Sequence, residues 1–453
     1  MQLSGKYNLT EGGIVNKLFF VAFPLMGTSV IQMTYNLTDM FWLGRLSSYA
    51  VAASGIVGLF LWMSMAFFLI GRMGAEIGVS QNLGKGDKES AKNFAQNSIF
   101  ISVVVGVVLA LIYIFGRELL IGFFGIQEPH VVQDAQDYLA IVSAALPMLF
   151  LSAAISGIFN GAGNSRMSLK INGVGLALNI TLSPILIFPA GLGIRGAAIA
   201  TVIAQSTAAI IAIVALTKNK NRPFSKIKLI SLPDAKIVKQ IFKWVTPISI
   251  ESFLFTFMTM IITAFIAYYG AGAMAASRIS TQIESLTWLI AGGFASALTA
   301  FVGQNYGAKK WDRISRCFKV STAMMVAWGA VVSAILYFGS NVLIAVFAPE
   351  DLTVIQIGAE FMRILAIVQI PACLEGVASG SFRGRGKTVP PSVVSVTCNT
   401  LRVVLAYVLS HHTVLGLTGI WIAISAGAGV RGLWMYIWYY FDSCKLLKLE
   451  TNP

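Results

Sequence analysis

The chain has 453 residues, of which 56% are hydrophobic and only 11% are charged. Its mean hydropathy of +0.76 excludes a soluble fold, because roughly a quarter of the residues of soluble domains are charged. The net charge of +14 does not indicate nucleic-acid binding, since no basic segment is interleaved with aromatic side chains that stack on bases.

Apolar segments long enough to cross a membrane, about 20 residues at a rise of about 1.5 Å, follow one another along the chain. They lie at 15–44, 51–82, 94–124, 134–160, 166–189, 194–217, 238–269, 274–305, 315–347, 355–383, 389–411 and 415–442. The sequence therefore predicts an all-α integral membrane protein with twelve transmembrane helices, surrounded by membrane lipid.

The loops between these segments alternate in charge. Lys and Arg are concentrated at 85–92, 166–170, 309–316 and 383–387, and the longest loop, 218–243, contains eight of them against one acid. The loops at 127–137 and 348–356 contain neither Lys nor Arg. Because cytoplasmic loops are enriched in these residues, we expect a multi-pass protein of the cytoplasmic (inner) membrane with both termini in the cytoplasm.

The first half of the sequence aligns with the second, without gaps, when Pro24 is placed on Pro247. We call this displacement the repeat shift. It also places the polar segment 81–84 on 304–307. Glycines repeat in the same register, with Gly157, Gly161, Gly163, Gly193 and Gly196 falling on Gly380, Gly384, Gly386, Gly416 and Gly419. Polar and glycine matches at one fixed shift indicate an internal repeat of six helices.

An even number of helices gives both copies the same orientation, so these are parallel repeats related by an axis along the membrane normal. We assign 1–217 to an N-terminal lobe, 218–237 to a cytoplasmic linker loop and 238–453 to a C-terminal lobe. Two pseudo-symmetric six-helix bundles of this kind predict a substrate cleft between them, as in secondary transporters.

Short motifs recur at the ends of the predicted helices, at 35–44, 80–87, 161–165, 302–308 and 380–384. Their order and spacing resemble the MATE (multidrug and toxic compound extrusion) family, including its prokaryotic NorM/DinF-like members, along essentially the whole chain. The resemblance implies two six-helix lobes in a V shape. It also implies an antiporter that exports amphipathic, often cationic, small molecules in exchange for H⁺ or Na⁺ by alternating access. We expect a monomer without a cofactor other than the coupling ion.

Asp39 is the predicted coupling residue. A carboxylate inside a membrane helix costs about 2.5–3.5 kcal/mol on insertion scales unless it faces partners or water, so it indicates function by default. The alternative is a position near the outer interface or a role in capping a loop. Tyr35 precedes Asp39 by one helical turn on the same face, and Asn36 is a candidate for the substrate cavity.

The resemblance implies a cation site around Asp39 in the N-terminal lobe, because Asp39 matches the first-helix aspartate of the family. Asn179 and Thr201 match two further members of that site, and side-chain oxygens of these types suit Na⁺. Where the archaeal pattern has a second aspartate before a proline, this chain has Ser183-Pro184, which removes one negative charge. Ordinary hydrogen bonding between helices is the alternative for Asn179 and Thr201.

Three further carboxylates, Glu251, Glu284 and Glu375, lie in apolar segments of the C-terminal lobe. They do not align with the seventh-helix glutamate and tenth-helix aspartate of the NorM-type branch. They are therefore candidates for the substrate cavity or for buried structural pairs, for example with Arg278. Pro24 interrupts the hydrogen bonding of the first helix and predicts either a static kink or a functional hinge.

Two other functions remain open. A lipid-linked oligosaccharide flippase of the same superfamily would share the repeat but would line its cleft with Lys and Arg. The basic residues here lie mostly in cytoplasmic loops, with Arg72, Arg278, Arg363 and Arg402 as exceptions. A membrane-embedded enzyme would need a catalytic group within the bilayer, whereas His130, His411 and His412 all fall in predicted loops. We therefore expect a transporter and not an enzyme.

Overall fold

The fold is all-helical in a computed structural model that describes residues 7–124, 126, 128–218, 222–224, 227–229, 231–349 and 351–451, without the side chains of 36, 48 and 446–451. The first seven helices are α1 (Ile14–Leu46), α2 (Ser48–Lys85), α3 (Lys88–Gly122), α4 (Pro129–Ser143), α5 (Leu146–Gly161), α6 (Ser165–Ile187) and α7 (Gly193–Lys218). The next seven are α8 (Ala235–Ala267), α9 (Ala271–Gly307), α10 (Trp311–Ala345), α11 (Leu352–Ile367), α12 (Gln369–Gly384), α13 (Val389–His411) and α14 (Gly416–Thr451).

Ten of these helices are long and apolar enough to cross a membrane individually within the described residues. Two further spans are each built from a bent pair, α4 with α5 at 44° and α11 with α12 at 52°, which brings the number to twelve. The sequence predicted one continuous helix in each of these two places.

Prolines explain both breaks. Pro147 and Pro371 lie near the starts of α5 and α12, and each lacks the amide hydrogen that would bond to the carbonyl four residues earlier. Those carbonyls belong to Ser143 and Ile367, which are the last residues of α4 and α11. The position of each break therefore follows from the covalent structure of proline.

The two halves repeat in structure in the register of the sequence. The repeat shift carries the bounds of α3, α4 and α5 onto those of α10, α11 and α12, apart from small differences at the helix ends. Close helix contacts recur as well. A Cβ added at Gly157 would overlap the carbonyl oxygen of Arg72, and one added at Gly380 would overlap that of Ala295. Only glycine permits such an approach of two backbones.

The chain divides into two compact units. Unit 1 contains Phe19–Ser249 together with the residues before Gly13, and unit 2 contains Ile250–Pro453 together with Gly13–Leu18. The division falls within α8, so that residues 238–249, which the sequence analysis assigned to the C-terminal lobe, pack in unit 1. Ile241, Val245 and Ile248 form an apolar cluster there with residues of α2 and α3.

Side-chain hydrogen bonds to the backbone stabilise the polar ends of the helices between spans. Asp87 precedes α3 and accepts a hydrogen bond from the backbone N–H of Ser90 at 2.9 Å. The hydrogen bonds from Ser90 hold the pKa of the Asp87 carboxyl below its usual range. In the preceding segment, Asn82 donates to the carbonyl of Gly78, and its repeat partner Asn305 donates to that of Phe301, both at 2.8 Å.

Candidate functional site

The polar residues predicted around Asp39 come together in unit 1. Asn179 of α6 donates from Nδ2 to Thr201 Oγ1 of α7 at 3.4 Å, and both side chains lie close enough to the Asp39 carboxylate to interact with it. Tyr35 interacts with the same two side chains and with the charge of Asp39. The sequence therefore placed these four residues, from three helices, in one group.

Small residues bring α6 and α7 close enough for this contact. Gly175 of α6 faces α7, where a Cβ on the glycine would lie 3.4 Å from the Cβ of Ala208 and 3.6 Å from the carbonyl oxygen of Ala204. Asn179 follows Gly175 by four residues, and Thr201 precedes Ala204 by one turn. Close packing of small residues is typical of helices in lipid and here fixes the register of the polar pair.

Several buried oxygens of these helices make no hydrogen bond in the described residues. Asp39 Oδ1, Asn179 Oδ1, Ser183 Oγ and the Tyr35 hydroxyl are all buried atoms without a hydrogen-bond partner among the described residues. Ser183 follows Asn179 by one turn on α6 and is itself fully buried. Unpaired buried polar atoms are costly, so a cluster of them indicates that something else satisfies them.

The donor set fits a monovalent cation or a proton. Within the described part of the chain, no group of three or more His, Cys, Asp or Glu side chains lies close enough to hold a metal ion together. Asp39 is accompanied instead by neutral amide and hydroxyl oxygens, which are hard ligands. One carboxylate balances one positive charge, so the chemistry of these ligands is compatible with Na⁺ or H⁺.

Two residues near Asp39 were not predicted from the sequence. Gln205 lies one turn beyond Thr201 on α7 and close to the Tyr35 hydroxyl, although the two groups do not meet hydrogen-bond geometry. Tyr138 of α4 is buried and lies close enough to Asp39 and Tyr35 to interact electrostatically. The i+4 spacing from Thr201 is a signal that could have identified Gln205. Nothing in the local sequence connects Tyr138 with α1.

The predicted hinge, Pro24, lies apart from this group. Pro24 is buried within α1, which continues through it, and its carbonyl accepts a hydrogen bond from Thr28 at 3.0 Å. It precedes Asp39 by fifteen residues, about 22 Å along a helix, so it does not contact the carboxylate. The side chain of Asn36 lies outside the described residues.

A second polar group lies inside unit 2. Two of the three predicted glutamates in it accept hydrogen bonds from other side chains of the group. Glu375 Oε2 accepts from Arg431 Nε at 2.8 Å, and Arg431 Nη1 donates to Asn399 Oδ1 at 3.2 Å. Glu251 Oε2 accepts from Ser392 Oγ at 2.8 Å, and the charges of Glu251 and Glu375 influence each other. Helices α8, α12, α13 and α14 all contribute to this group.

The third glutamate and its neighbours complete that group. Glu284 of α9 accepts from Trp288 Nε1 at 3.2 Å, and the Trp288 ring lies 5.6 Å from the guanidinium carbon of Arg431. Arg278, the example of an acid partner considered from the sequence, is exposed and makes no ion pair with any of these glutamates in the described residues. The buried partner is Arg431, which the sequence analysis missed.

A family model described as MatE matches residues 24–185 and 247–408, and the repeat shift carries the first of these segments onto the second. A probable multidrug resistance protein NorM of Thermotoga maritima is 27% identical over 418 residues, 91% of this chain and 89% of that protein. A probable multidrug resistance protein YoeA of Bacillus subtilis is 29% identical over 437 residues, 94% of this chain and 92% of that protein.

Among solved structures, a crystal structure of MATE in the bent conformation matches with a TM-score of 0.93 at 22% identity, covering 99% of this chain and 100% of that chain. At this identity the match shows the fold, which agrees with the twelve spans described above. The family model covers well over half of the sequence and matches both halves. The chain therefore belongs to the MatE family and is a membrane transporter, not an enzyme.

Proposed function

We propose that this protein is an antiporter that exports amphipathic, often cationic, small molecules from the cell in exchange for H⁺ or Na⁺. The observation that carries the proposal is the Asp39 carboxylate of unit 1, which lies beside Tyr35, Asn179 and Thr201. Its Oδ1 is buried without a hydrogen-bond partner among the described residues. The relatives named as multidrug resistance proteins support the substrate class.

Coupling requires the ion to bind one conformation of the protein better than another. A carboxylate with too few donors binds a proton or Na⁺ in the state that surrounds it with oxygens, and releases it in a state that exposes it to water. H⁺ needs Asp39 alone, whereas Na⁺ would also be held by Asn179, Thr201 and the Ser183 hydroxyl. Alternating access then links release of the ion to movement of the substrate.

A lipid-linked oligosaccharide flippase is the competing function, and the charges of unit 2 argue against it. A pyrophosphate carries several negative charges and needs several free basic side chains. Arg431 is already neutralised by Glu375 at 2.8 Å. In the described residues, Arg402 and Arg383 are the other arginines whose charges act on the buried glutamates of that group. Transport of a lipid-linked sugar without any effect on cationic dyes would favour the flippase.

The test is export from proteoliposomes under one imposed gradient at a time. We expect a lipophilic cation such as ethidium to move against its gradient when either a pH gradient or a Na⁺ gradient is imposed, and to stay when neither is present. The responding gradient identifies the coupling ion. Failure of both gradients to move any of a broad panel of cationic dyes would contradict the proposed function.

The proposed orientation places both termini and the loop at 218–237 in the cytoplasm of a monomer in the inner membrane. We expect a membrane-impermeant thiol reagent to label intact cells carrying Gln133→Cys and not those carrying Ser225→Cys. Replacing Cys444 with Ser removes the one native cysteine among the four that is not buried. Labelling of the cysteine at 225 but not of the one at 133 would reverse the topology.

A further inference from the structure

The internal repeat shows that unit 2 does not duplicate the Asp39 site. Under the repeat shift, Asp39 corresponds to Ile262, Thr201 to Ile424 and Asn179 to Arg402. The acid and the hydroxyl of unit 1 are thus replaced by buried or half-buried isoleucines, and the amide is replaced by a fixed positive charge. Unit 2 therefore has a positively charged side chain at a position where unit 1 has polar side chains suited to binding a cation.

Arg402 is held in a defined place by three helices. Its Nη2 donates to Thr259 Oγ1 of α8 at 3.3 Å, and its guanidinium carbon lies 5.4 Å from the centroid of the Phe255 ring. Its aliphatic stem passes over Gly427 of α14, where an added Cβ would lie only 3.0 to 3.2 Å from the Arg402 side-chain carbons. Glycine at 427 therefore provides the space that the arginine occupies.

The positive charge of Arg402 has no paired anion within the described residues. Its Nε is buried without a hydrogen-bond partner, and no carboxylate oxygen lies within ion-pair distance. The nearby acids have other partners: Glu375 pairs with Arg431, Glu251 accepts from Ser392, and Glu284 accepts from Trp288. Glu284 influences Arg402 only through space.

A charge of this kind is costly in an apolar environment. An unpaired ion inside a protein or bilayer is far less stable than one that is paired or hydrated, and intramembrane arginines normally face a partner or water. A guanidinium presents several N–H groups in one plane and matches a carboxylate in bidentate geometry. The neighbouring Phe255 ring is 40% exposed, and Phe253 and Phe257 are 54% and 55% exposed on the same helix.

We propose that Arg402 binds the carboxylate of amphipathic aromatic substrates, whose ring systems pack against Phe255. This inference rests on the proposed export function and names the residue that distinguishes, among its substrates, those that carry a carboxylate. Arg402 then acts as a specificity residue: it is needed for substrates with a carboxylate and is dispensable for those without one. The charge-assisted hydrogen bonds between the guanidinium and the carboxylate supply the difference in affinity.

The test uses two dyes that differ only in this group, a xanthene dye with a free benzoic acid carboxylate and its methyl ester. Binding of each dye to the purified full-length protein is measured by fluorescence polarisation. We expect Arg402→Gln to weaken binding of the acid by about 10- to 100-fold, as for loss of hydrogen bonds between charged groups, and to leave binding of the ester unchanged. Arg278→Gln, which removes an exposed arginine of the same unit, should change neither.

Two results would overturn the inference: equal weakening of both dyes in a folded Arg402→Gln variant, or failure of the parent protein to bind the acid. Cooperative thermal melting reports whether the variant is folded. If it is not, Arg402→Lys keeps the charge without the planar fork, and a selective loss of the acid supports the inference while an equal change in both dyes contradicts it. Because binding needs no gradient, a parent that binds the acid but exports nothing would contradict the proposed function alone.

Discussion

Asp39→Asn is expected to reduce gradient-driven export to the level of protein-free liposomes while leaving the protein folded and able to bind substrate. The amide has nearly the shape of the carboxylate but can neither take up a proton nor balance the charge of Na⁺. The ion then no longer distinguishes one conformation from the other, and its gradient cannot drive transport. Export of ethidium from proteoliposomes, together with equilibrium binding and thermal melting, measures the three properties.

Asp87→Asn is the matched control for this variant. It removes a carboxylate from the same unit, but Asp87 is an exposed helix cap whose role asparagine fulfils equally well. We expect normal export from this variant. Export by Asp39→Asn at the rate of the parent would show that Asp39 is not the coupling residue. Glu251 or Glu375 would then become the candidate.

Arg431→Gln is expected to destabilise unit 2 by about 3–5 kcal/mol, the range found when one partner of a buried ion pair is removed. The side chains of Arg431 and Glu375 are only 7% and 13% exposed, so the variant leaves a carboxylate buried without its cation. Asn399 loses a hydrogen bond from Arg431 at the same time. A markedly lower melting temperature and lower yield in the membrane are the expected measurements.

The double variant Glu375→Gln with Arg431→Gln distinguishes loss of the pair from loss of packing. Because no unpaired charge remains, we expect it to be less destabilised than the sum of the two single variants, with a coupling free energy toward the upper end of the range of about 0.5–3 kcal/mol for interacting residues. Glu89→Gln, which breaks an exposed pair with Lys92, should cost no more than about 1 kcal/mol. Additive effects of the two buried substitutions would show that the ion pair contributes nothing to stability.

The position of each membrane span could be predicted from sequence because the insertion of a segment into lipid depends on the hydrophobicity of its residues. Each apolar segment had a helix in the structure, and the repeat shift recurs in the helix bounds. The bends before Pro147 and Pro371 were not predicted, although the physical signal was present. A hydropathy profile averages over about 20 residues and does not register the loss of a single backbone hydrogen bond.

The group around Asp39 was predicted through family resemblance, which assigned Asn179 and Thr201 to one site. For the contacts of unit 2, the family resemblance did not assign any residues to a common site. Glu375 and Arg431 lie 56 residues apart on different helices, and from the sequence Arg278 was expected as a partner instead. Ion-pair partners on separate helices depend on how each helix is rotated and shifted against its neighbours, and no local pattern encodes that rotation.

By itself, the sequence determined the membrane environment, the twelve spans and the parallel repeat, because hydrophobic length and internal similarity are properties of a linear chain. Only the tertiary structure decided which buried charges are paired. It pairs Arg431 with Glu375 and Asn399, and it leaves Arg402 beside Phe255 with no paired anion among the residues that the structure describes. The physical reason is that an ion pair depends on distances of a few ångströms across helix interfaces, which packing at residues such as Gly427 sets.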